Sequence, residues 1–359
     1  MTDPSGTGAP SGGREPAPGL PEAAPGLPEP APGLAEPAPR LPETAPGLSE
    51  TAPGLPEVLC IGETMAMVTS TDAGPLVTAE TFSVSPGGAE SNLAQHLAEL
   101  GVRTAWVSAL GADPLGDRLL AAIAASGVDT RWVSRDPDAN TGVYVKDPGR
   151  KVYYYRKGSA ASRLSPEHVA GWPMASARWV HVSGITPALS PTCRALLPAV
   201  VDAARAAGAG VSLDVNYRPA LWSTAEAAAT IQPLADRADV VLVGRDEAEV
   251  LWGTPTAEEI AALFPGAGRV VVKDGDVEAV EVDRTSATEV ITRVPARRVD
   301  VVESVGAGDA FGGGYLAALL RGDGAEDRLA LGHSLAAWVL GSPNDYRSGH
   351  GPTVRPETR

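Results

Sequence analysis

The stretch RWVHVSGITPALSPTCRALLPAVVDAARAAGAGVSLDVN, residues 178–216, sets two short apolar runs on either side of a longer segment rich in alanine and leucine. RWVHVSG (178–184) and GVSLDVN (210–216) have the length of buried strands, and the segment 190–208 between them has the length of a helix. Two strands joined through a helix run parallel, because the crossover carries the chain back to its starting edge. The same alternation continues in both directions. Upstream stand strand VLCIG (58–62), helix GGAESNLAQHLAELG (87–101) with Leu93, Leu97 and Leu100 at helical spacing, strand TAWVSAL (104–110) and a helix at 114–126. Downstream come a helix at 224–235, strand DVVLVG (239–244), a helix at 245–252 and strand RVVVKDG (269–275). This alternation predicts an α/β fold: a mostly parallel central sheet with helices on both faces.

Two stretches break the rhythm. MAMVTS (65–70) and TGVYVKDPGRKVYYYR (141–156) read as strands and a hairpin, with Asp147, Pro148 and Gly149 at the turn. They predict a small β-sheet lid drawn from about 64–85 and 131–157. The first 56 residues are a different material. From Glu15 a seven-residue unit repeats six times, from EPAPGLP to ETAPGLP, with a proline in every unit and a single leucine. Proline removes a helical hydrogen bond, so the period is not a coiled coil and the composition reads as a disordered, partly polyproline-II tail. The remaining domain spans about 57–350, with a short tail at 351–359.

Composition narrows the function. At 359 residues and 43% hydrophobic, the chain builds a sizeable core. No apolar run approaches the roughly 18 residues that span a bilayer, and the N-terminus lacks signal-peptide character, so the expectation is a cytoplasmic protein without a membrane partner. Cys60 and Cys193 are too few for a disulfide framework or a zinc site and read as buried thiols. A formal charge of −15 with no basic stripe argues against nucleic acid. An anionic ligand must therefore be held by local groups.

In parallel sheets ligands gather beyond the carboxyl ends of the strands. The residues there are Gly62-Glu63, Gly87 to Asn92, Asp214 to Arg218, Asp246-Glu247 and finally ESVGAGDAFGGG (303–314), which leads from loop to turn to helix. Glycines at a helix start leave backbone N–H groups accessible, and with the helix dipole they form an anion site. A lone carboxylate beside it, Asp309, would repel phosphate unless it takes a proton from an attacking hydroxyl, so the pair reads as phosphoryl transfer. The competing readings are a tight turn with close helix packing, which suits Gly312, Gly313 and Gly314, and a dinucleotide fingerprint. The fingerprint requires a further strand and an acidic residue about 20 positions on, and no clear strand follows.

GAGDAF near the C-terminus, PGGAESNLA near the domain start and the strand–helix order between them resemble the ribokinase-like (PfkB) carbohydrate kinases over about residues 57–350. More narrowly, YYYRKGSAASRLSP (153–166), SGITPALS (183–190) and DVNYRPALW (214–222) resemble 2-keto-3-deoxygluconate kinases. The resemblance implies a three-layer α/β/α sandwich with a β-sheet lid, transfer of the γ-phosphoryl group of ATP with Mg²⁺ to the primary hydroxyl of a keto-sugar acid, and a homodimer or higher oligomer formed through the lid. It makes Asp309 the catalytic base and Gly306, Ala307 and Gly308 the anion hole. Gly88, Asn92, Tyr144, Tyr154, Arg156, Arg218 and Asp345 fall at sugar contacts, while Asn216, Glu247, Lys273 and Gly275 fall on the nucleotide side, Glu247 meeting Mg²⁺ through water. An acid substrate calls for a guanidinium that forks its carboxylate. Of the two arginines, Arg156 in the lid is expected to matter more.

The chain departs from the family pattern in three places. Gly244-Arg245-Asp246-Glu247 keeps the glutamate of the usual Asn-x-x-Glu and loses the asparagine. Glu303-Ser304-Val305 stands where Asp-Thr-Thr is common, which leaves a monovalent-cation requirement open, and VVKDGDVEAV (271–280) lacks a second glycine, so its Lys273 reads equally as a nucleotide contact or as a residue that caps a strand. The other class of function is a non-catalytic sugar-binding relative; the intact Gly306–Asp309 motif favours the enzyme, because a binding module has no use for a base beside an anion hole. Among kinases, 2-keto-3-deoxygluconate, its galactonate epimer, fructose and ribose remain as substrates.

Overall fold

The computed structural model describes residues 54–349 except 73, 148, 149 and 343. The expectations for the repeat tail up to residue 53, for 351–359 and for the turn at Pro148 and Gly149 lie outside the described residues.

In chain order the elements are β1 (Val58–Ile61), β2 (Met65–Ser70), β3 (Phe82–Gly87), α1 (Ala89–Glu99), β4 (Thr104–Gly111), α2 (Pro114–Ala125), β5 (Val133–Asp136), β6 (Val143–Asp147) and β7 (Lys151–Tyr155). Then follow β8 (Trp179–Ser183), α3 (Pro191–Ala206), β9 (Gly210–Asp214), α4 (Thr224–Ala235), β10 (Val240–Gly244), α5 (Arg245–Trp252) and α6 (Ala257–Ala262). The chain closes with β11 (Arg269–Asp274), β12 (Glu278–Asp283), β13 (Val290–Pro295), α7 (Ala307–Arg321) and α8 (Ala325–Leu340).

The large sheet runs β13-β12-β11-β10-β9-β8-β1-β4-β5, parallel from β11 through β5, with β12 and β13 antiparallel at one edge. Its central strands are buried on both faces, so alternate residues feed two cores. Leu59 and Ile61 of β1 pack with Leu196, Leu197 and Val200 of α3 and Ile231 of α4. Val58 and Cys60 pack on the opposite face with Leu93 and Leu97 of α1, Ile123 of α2 and Phe311 and Leu316 of α7. This is the expected three-layer sandwich. Both cysteines are free and buried, one in each core. Among the described residues no helix is long and apolar enough to cross a membrane.

Helix starts follow their caps. Asp113 accepts from the Gly116 N–H at 2.8 Å, Ser190 from the Cys193 N–H at 3.0 Å, and Ser223 and Glu226 cap α4 reciprocally. Each such cap contributes about 1 kcal/mol.

The small sheet runs β3-β2-β6-β7. It confirms strands at 65–70 and within 141–156, but the expected lid segment 131–157 divides: Val133–Asp136 pairs parallel with β4 and belongs to the large sheet. Within the hairpin Tyr144 faces Tyr154, while Val145 faces Tyr153 and Val143 faces Tyr155. With a period of two, Tyr144 and Tyr154 share one face, and Tyr153 and Tyr155 the other.

Candidate active site

The carboxyl ends of β1, β9, β10 and β11 and the N-termini of α1 and α7 meet at one end of the large sheet. The joining contact is made by the Asn92 side chain of α1, whose Nδ2 donates to Asp309 Oδ2 of α7 at 2.9 Å. Asp214, Arg218 and Lys273 act on the same carboxyl through their charges. Burial pushes Asp309 up to about 7; the Asn92 hydrogen bond opposes this and the negative Asp214 adds to it. A carboxyl so placed exchanges a proton near neutrality.

The glycines of the 303–314 stretch do different work. Gly306 has φ +86°, and a Cβ there would lie 1.9 Å from the Asp345 carbonyl oxygen, so both backbone conformation and packing demand glycine. At Gly308 a Cβ would meet only the Lys273 ammonium, at 3.5 Å. That position opens towards a cation. Gly312, Gly313 and Gly314 press on Leu93, His96 and Leu331, as the packing reading expects. The N–H groups of Gly306, Ala307, Gly308 and Asp309 at the start of α7 have no acceptor within the helix by geometry, and that of Ala307 makes a long contact with the Ser304 carbonyl, at 3.4 Å.

Lys273 Nζ donates to Asp214 Oδ2 at 2.8 Å. Burial pulls the ammonium down, but Asp214 and Glu247 outweigh it and hold its pKa above the ordinary value. Glu247 accepts the Tyr217 N–H and the Gly244 N–H, each at 2.9 Å, and burial followed by Asp214 raises its pKa. Its carboxylate therefore binds the loop after β9 to the end of β10. Asn216 has φ +41° and donates its N–H to Asp214 Oδ1 at 3.2 Å. Gly275, with φ +49°, lies in the turn between β11 and β12 with open space around its Cα.

At the start of α1, a Cβ at Gly88 would lie 2.3 Å from the Glu63 carbonyl, so this helix end is pressed on the loop after β1. Asn92 Oδ1 is buried with no partner among the described residues. It is an acceptor left open to a hydroxyl donor. Tyr144 and Tyr154 stack at 5.8 Å. Tyr144 donates to Asp345 Oδ2 at 2.5 Å, and burial and then Asp345 hold its pKa well above the ordinary phenol value.

The two arginines stand in different surroundings. Arg156 Nε donates to Glu63 Oε2 at 2.7 Å, with a second contact from Nη2, and Ser159 donates to Glu63 Oε1 at 2.5 Å. Its charge is already matched by a buried carboxylate. Among the described residues Arg218 donates to the Tyr217 carbonyl, at 3.1 Å, and its side chain is exposed. Arg218 is the more exposed guanidinium of the two, and its charge acts on the Asp309 and Glu247 carboxyls.

Glu63, Asp214 and Lys146 received no role from the sequence. Glu63 and Asp214 both stand at the strand ends singled out in the sequence, but nothing there distinguished their individual roles. Lys146 carried no such signal, since a lysine beside a hairpin turn reads as solvated. A further buried carboxyl, Glu90, is pushed up to about 7 by burial and accepts from Ser183 at 2.6 Å.

Among the described residues no group of three or more acidic, histidine or cysteine side chains forms a metal cage. Asp214 and Glu247 as a pair suit Mg²⁺ carried by phosphates and water, which is how that ion commonly binds.

Residues 55–349 match the pfkB family carbohydrate kinases. The 2-dehydro-3-deoxygluconokinase of Bacillus subtilis is 38% identical over 298 residues, covering 80% of this chain and 91% of its own. The 2-dehydro-3-deoxygalactonokinase of Haloferax volcanii is 32% identical over 295 residues, covering 78% and 90%. A ribokinase II of Escherichia coli, solved in complex with ATP and Mg²⁺, superposes with a TM-score of 0.74 at 25% identity over 81% of this chain and 94% of that one. With a family match across the described fold and relatives of this identity and coverage, the chain belongs to the pfkB family of carbohydrate kinases.

Proposed function

We propose that the protein is an ATP-dependent sugar-acid kinase that phosphorylates the primary hydroxyl of 2-keto-3-deoxygluconate to the 6-phosphate. The observation that carries this reading is Asp309: a carboxyl poised near neutrality at the N-terminus of α7, held by Asn92, with the Lys273 ammonium beside Gly308. Asp309 removes the hydroxyl proton as that oxygen forms its bond to the γ-phosphorus, and the bond from phosphorus to the β–γ bridging oxygen breaks. The N–H groups at Gly306–Gly308 and Lys273 stabilise the charge that develops on the transferred group. Mg²⁺, when bound with ATP, neutralises phosphate charge; Asp214 and Glu247 are the carboxylates to meet it through water. Asn92, Gly88, Tyr154 and the paired Arg156 orient the sugar, and Arg218 meets its carboxylate. Asn216 and Gly275 border the nucleotide. Tyr144 and Asp345 support the site from beneath the small sheet.

The Bacillus relative supports the gluconate epimer and the Haloferax relative favours the galactonate epimer as the second reading; the two sugars differ at one hydroxyl. A panel of both acids with fructose and ribose, reported as kcat/KM, decides. Preference for fructose or ribose would overturn the acid assignment, and no turnover of any member would overturn the kinase.

We also infer that two copies join through the outer face of the small sheet. Val77 at 86%, Tyr155 at 66% and Phe82 at 44% are exposed there, an unusual set for one small surface. Sedimentation of wild type and Tyr155→Glu checks this: a dimer that dissociates in the variant supports it, and a monomeric wild type contradicts it.

A further inference from the structure

Lys146 lies on β6, 5% exposed, on the face of the small sheet that carries Tyr144. Its Nζ donates to Asp345 Oδ1 at 2.5 Å and to Glu303 Oε2 at 3.4 Å. The other Asp345 oxygen takes the Tyr144 hydroxyl, so both carboxylate oxygens of Asp345 are held by one strand of the small sheet. The main chain of Asp345 in turn sits against Gly306, the residue that precedes α7. Glu303 reaches the same place from the other side: its Oε1 accepts the N–H groups of Ser304 and Val305 at 2.8 and 3.2 Å and so shapes the loop entering α7. One lysine therefore grips both chain segments that bracket the N-terminus of α7.

A salt bridge as buried as Lys146–Asp345 adds little net stability, because removing both charges from water offsets their attraction; its best-attested use is to fix register between elements. Here the elements are the sheet that bears Tyr154 and meets Arg156, and the helix start that bears Asp309. We infer that Lys146 is a positioning residue that ties the small sheet to the α7 N-terminus, so that nucleotide phosphate bound at α7 draws the small sheet into place over the sugar site. This rests on the phosphate-binding role given to α7 above and needs no particular sugar. Tyr144 alone serves the purpose less well, since among the described residues its hydroxyl bonds to Asp345 and it is Lys146 that bonds to both Asp345 and Glu303.

Hydrogen exchange on the full chain with AMP-PNP and Mg²⁺, without sugar, tests the link. In wild type, protection is expected in peptides over 303–311 and also over 143–147 and 151–155, the latter by about fivefold or more, the low end of ordinary coupling between sites. Lys146→Met is expected to keep the response at 303–311 and lose it in the small sheet, and Lys146→Arg, which keeps the charge, to restore most of it. Glu303→Gln weakens the second anchor without stranding a buried charge, and serves if Lys146→Met fails to fold; it is expected to reduce the response of the small sheet in the same direction. Protection at 303–311 with no response of the small sheet in wild type, or an unchanged response in the foldable variants, overturns the link alone. No protection at 303–311 in wild type overturns the phosphate reading of α7 and the link with it.

Discussion

Asp309 is asked to be a base, and its surroundings set the pH at which it can be one. Held near 7 by burial, it is protonated and idle below that value, so kcat/KM should rise about tenfold per pH unit up to about 7 and then level. A pH–rate profile flat from 5 to 8 would remove the assignment. The same shift has a cost in stability. The folded carboxyl binds its proton more tightly than the unfolded one, so its contribution is intact below the ordinary aspartate pKa of 3.8 and is lost as pH rises through about 7. Asp309→Asn should therefore melt above wild type at pH 8, and the gap should close towards pH 4; Glu90 titrates in both proteins and cancels in the comparison. The arginines separate in the same kind of experiment. Arg156→Ala leaves the buried Glu63 carboxylate unpaired, a loss of about 3–5 kcal/mol, and should lower the melting temperature. Arg218→Ala should leave melting unchanged but reduce kcat/KM for the acid about tenfold, the worth of one charged hydrogen bond, and fructose less. Equal loss for both sugars would assign Arg218 to the nucleotide instead.

At the scale of elements, α7 is where glycine is used for two reasons, and substitution distinguishes them. Gly306→Ala must relieve both φ +86° and a contact with the Asp345 carbonyl, so it should destabilise the helix start and raise the KM for ATP together. Gly308→Ala has ordinary room beside Lys273 and should keep its melting temperature while raising the KM for ATP. Equal melting losses in the two variants would contradict this division. The central strands and most helices were legible in the sequence because parallel strands buried on both faces are continuous apolar runs; β1, β8, β9 and β10 all lie within a residue or two of expectation. β12 was not legible, since its inward Glu281 reads as a surface residue; in the fold it is fully buried and accepts from Arg328 Nε at 3.0 Å and Tyr315 at 2.7 Å. The antiparallel edge formed with β13 was missed for that reason, and β5 because four half-buried residues carry little pattern. Of the candidate site, the strand ends and the α7 glycines were readable. Charge pairing was not: Glu63 with Arg156 and Lys146 with Asp345 join positions 93 and 199 residues apart.

For the whole molecule, a three-layer sandwich fixes Asp214, Glu247, Lys273 and Asp309 at one end of its large sheet, and a small sheet brings Tyr144 and Lys146 to Asp345. Residues 1–53 contain proline in every repeat and no aromatic side chain, so their removal is expected to leave kcat unchanged and the melting temperature within a few degrees. A larger fall would show that they contribute to the fold. The central claim is that this assembly transfers phosphate to a sugar acid with Asp309 as the base. The most direct measurement is phosphorus NMR of ATP, Mg²⁺ and 2-keto-3-deoxygluconate with wild type and Asp309→Asn, alongside nucleotide affinity by calorimetry. A 6-phosphate ester signal should grow with wild type and about 10² to 10⁴ times more slowly with the variant, at similar nucleotide affinity. Ester formation by Asp309→Asn at the wild-type rate, or none by wild type, would contradict the account.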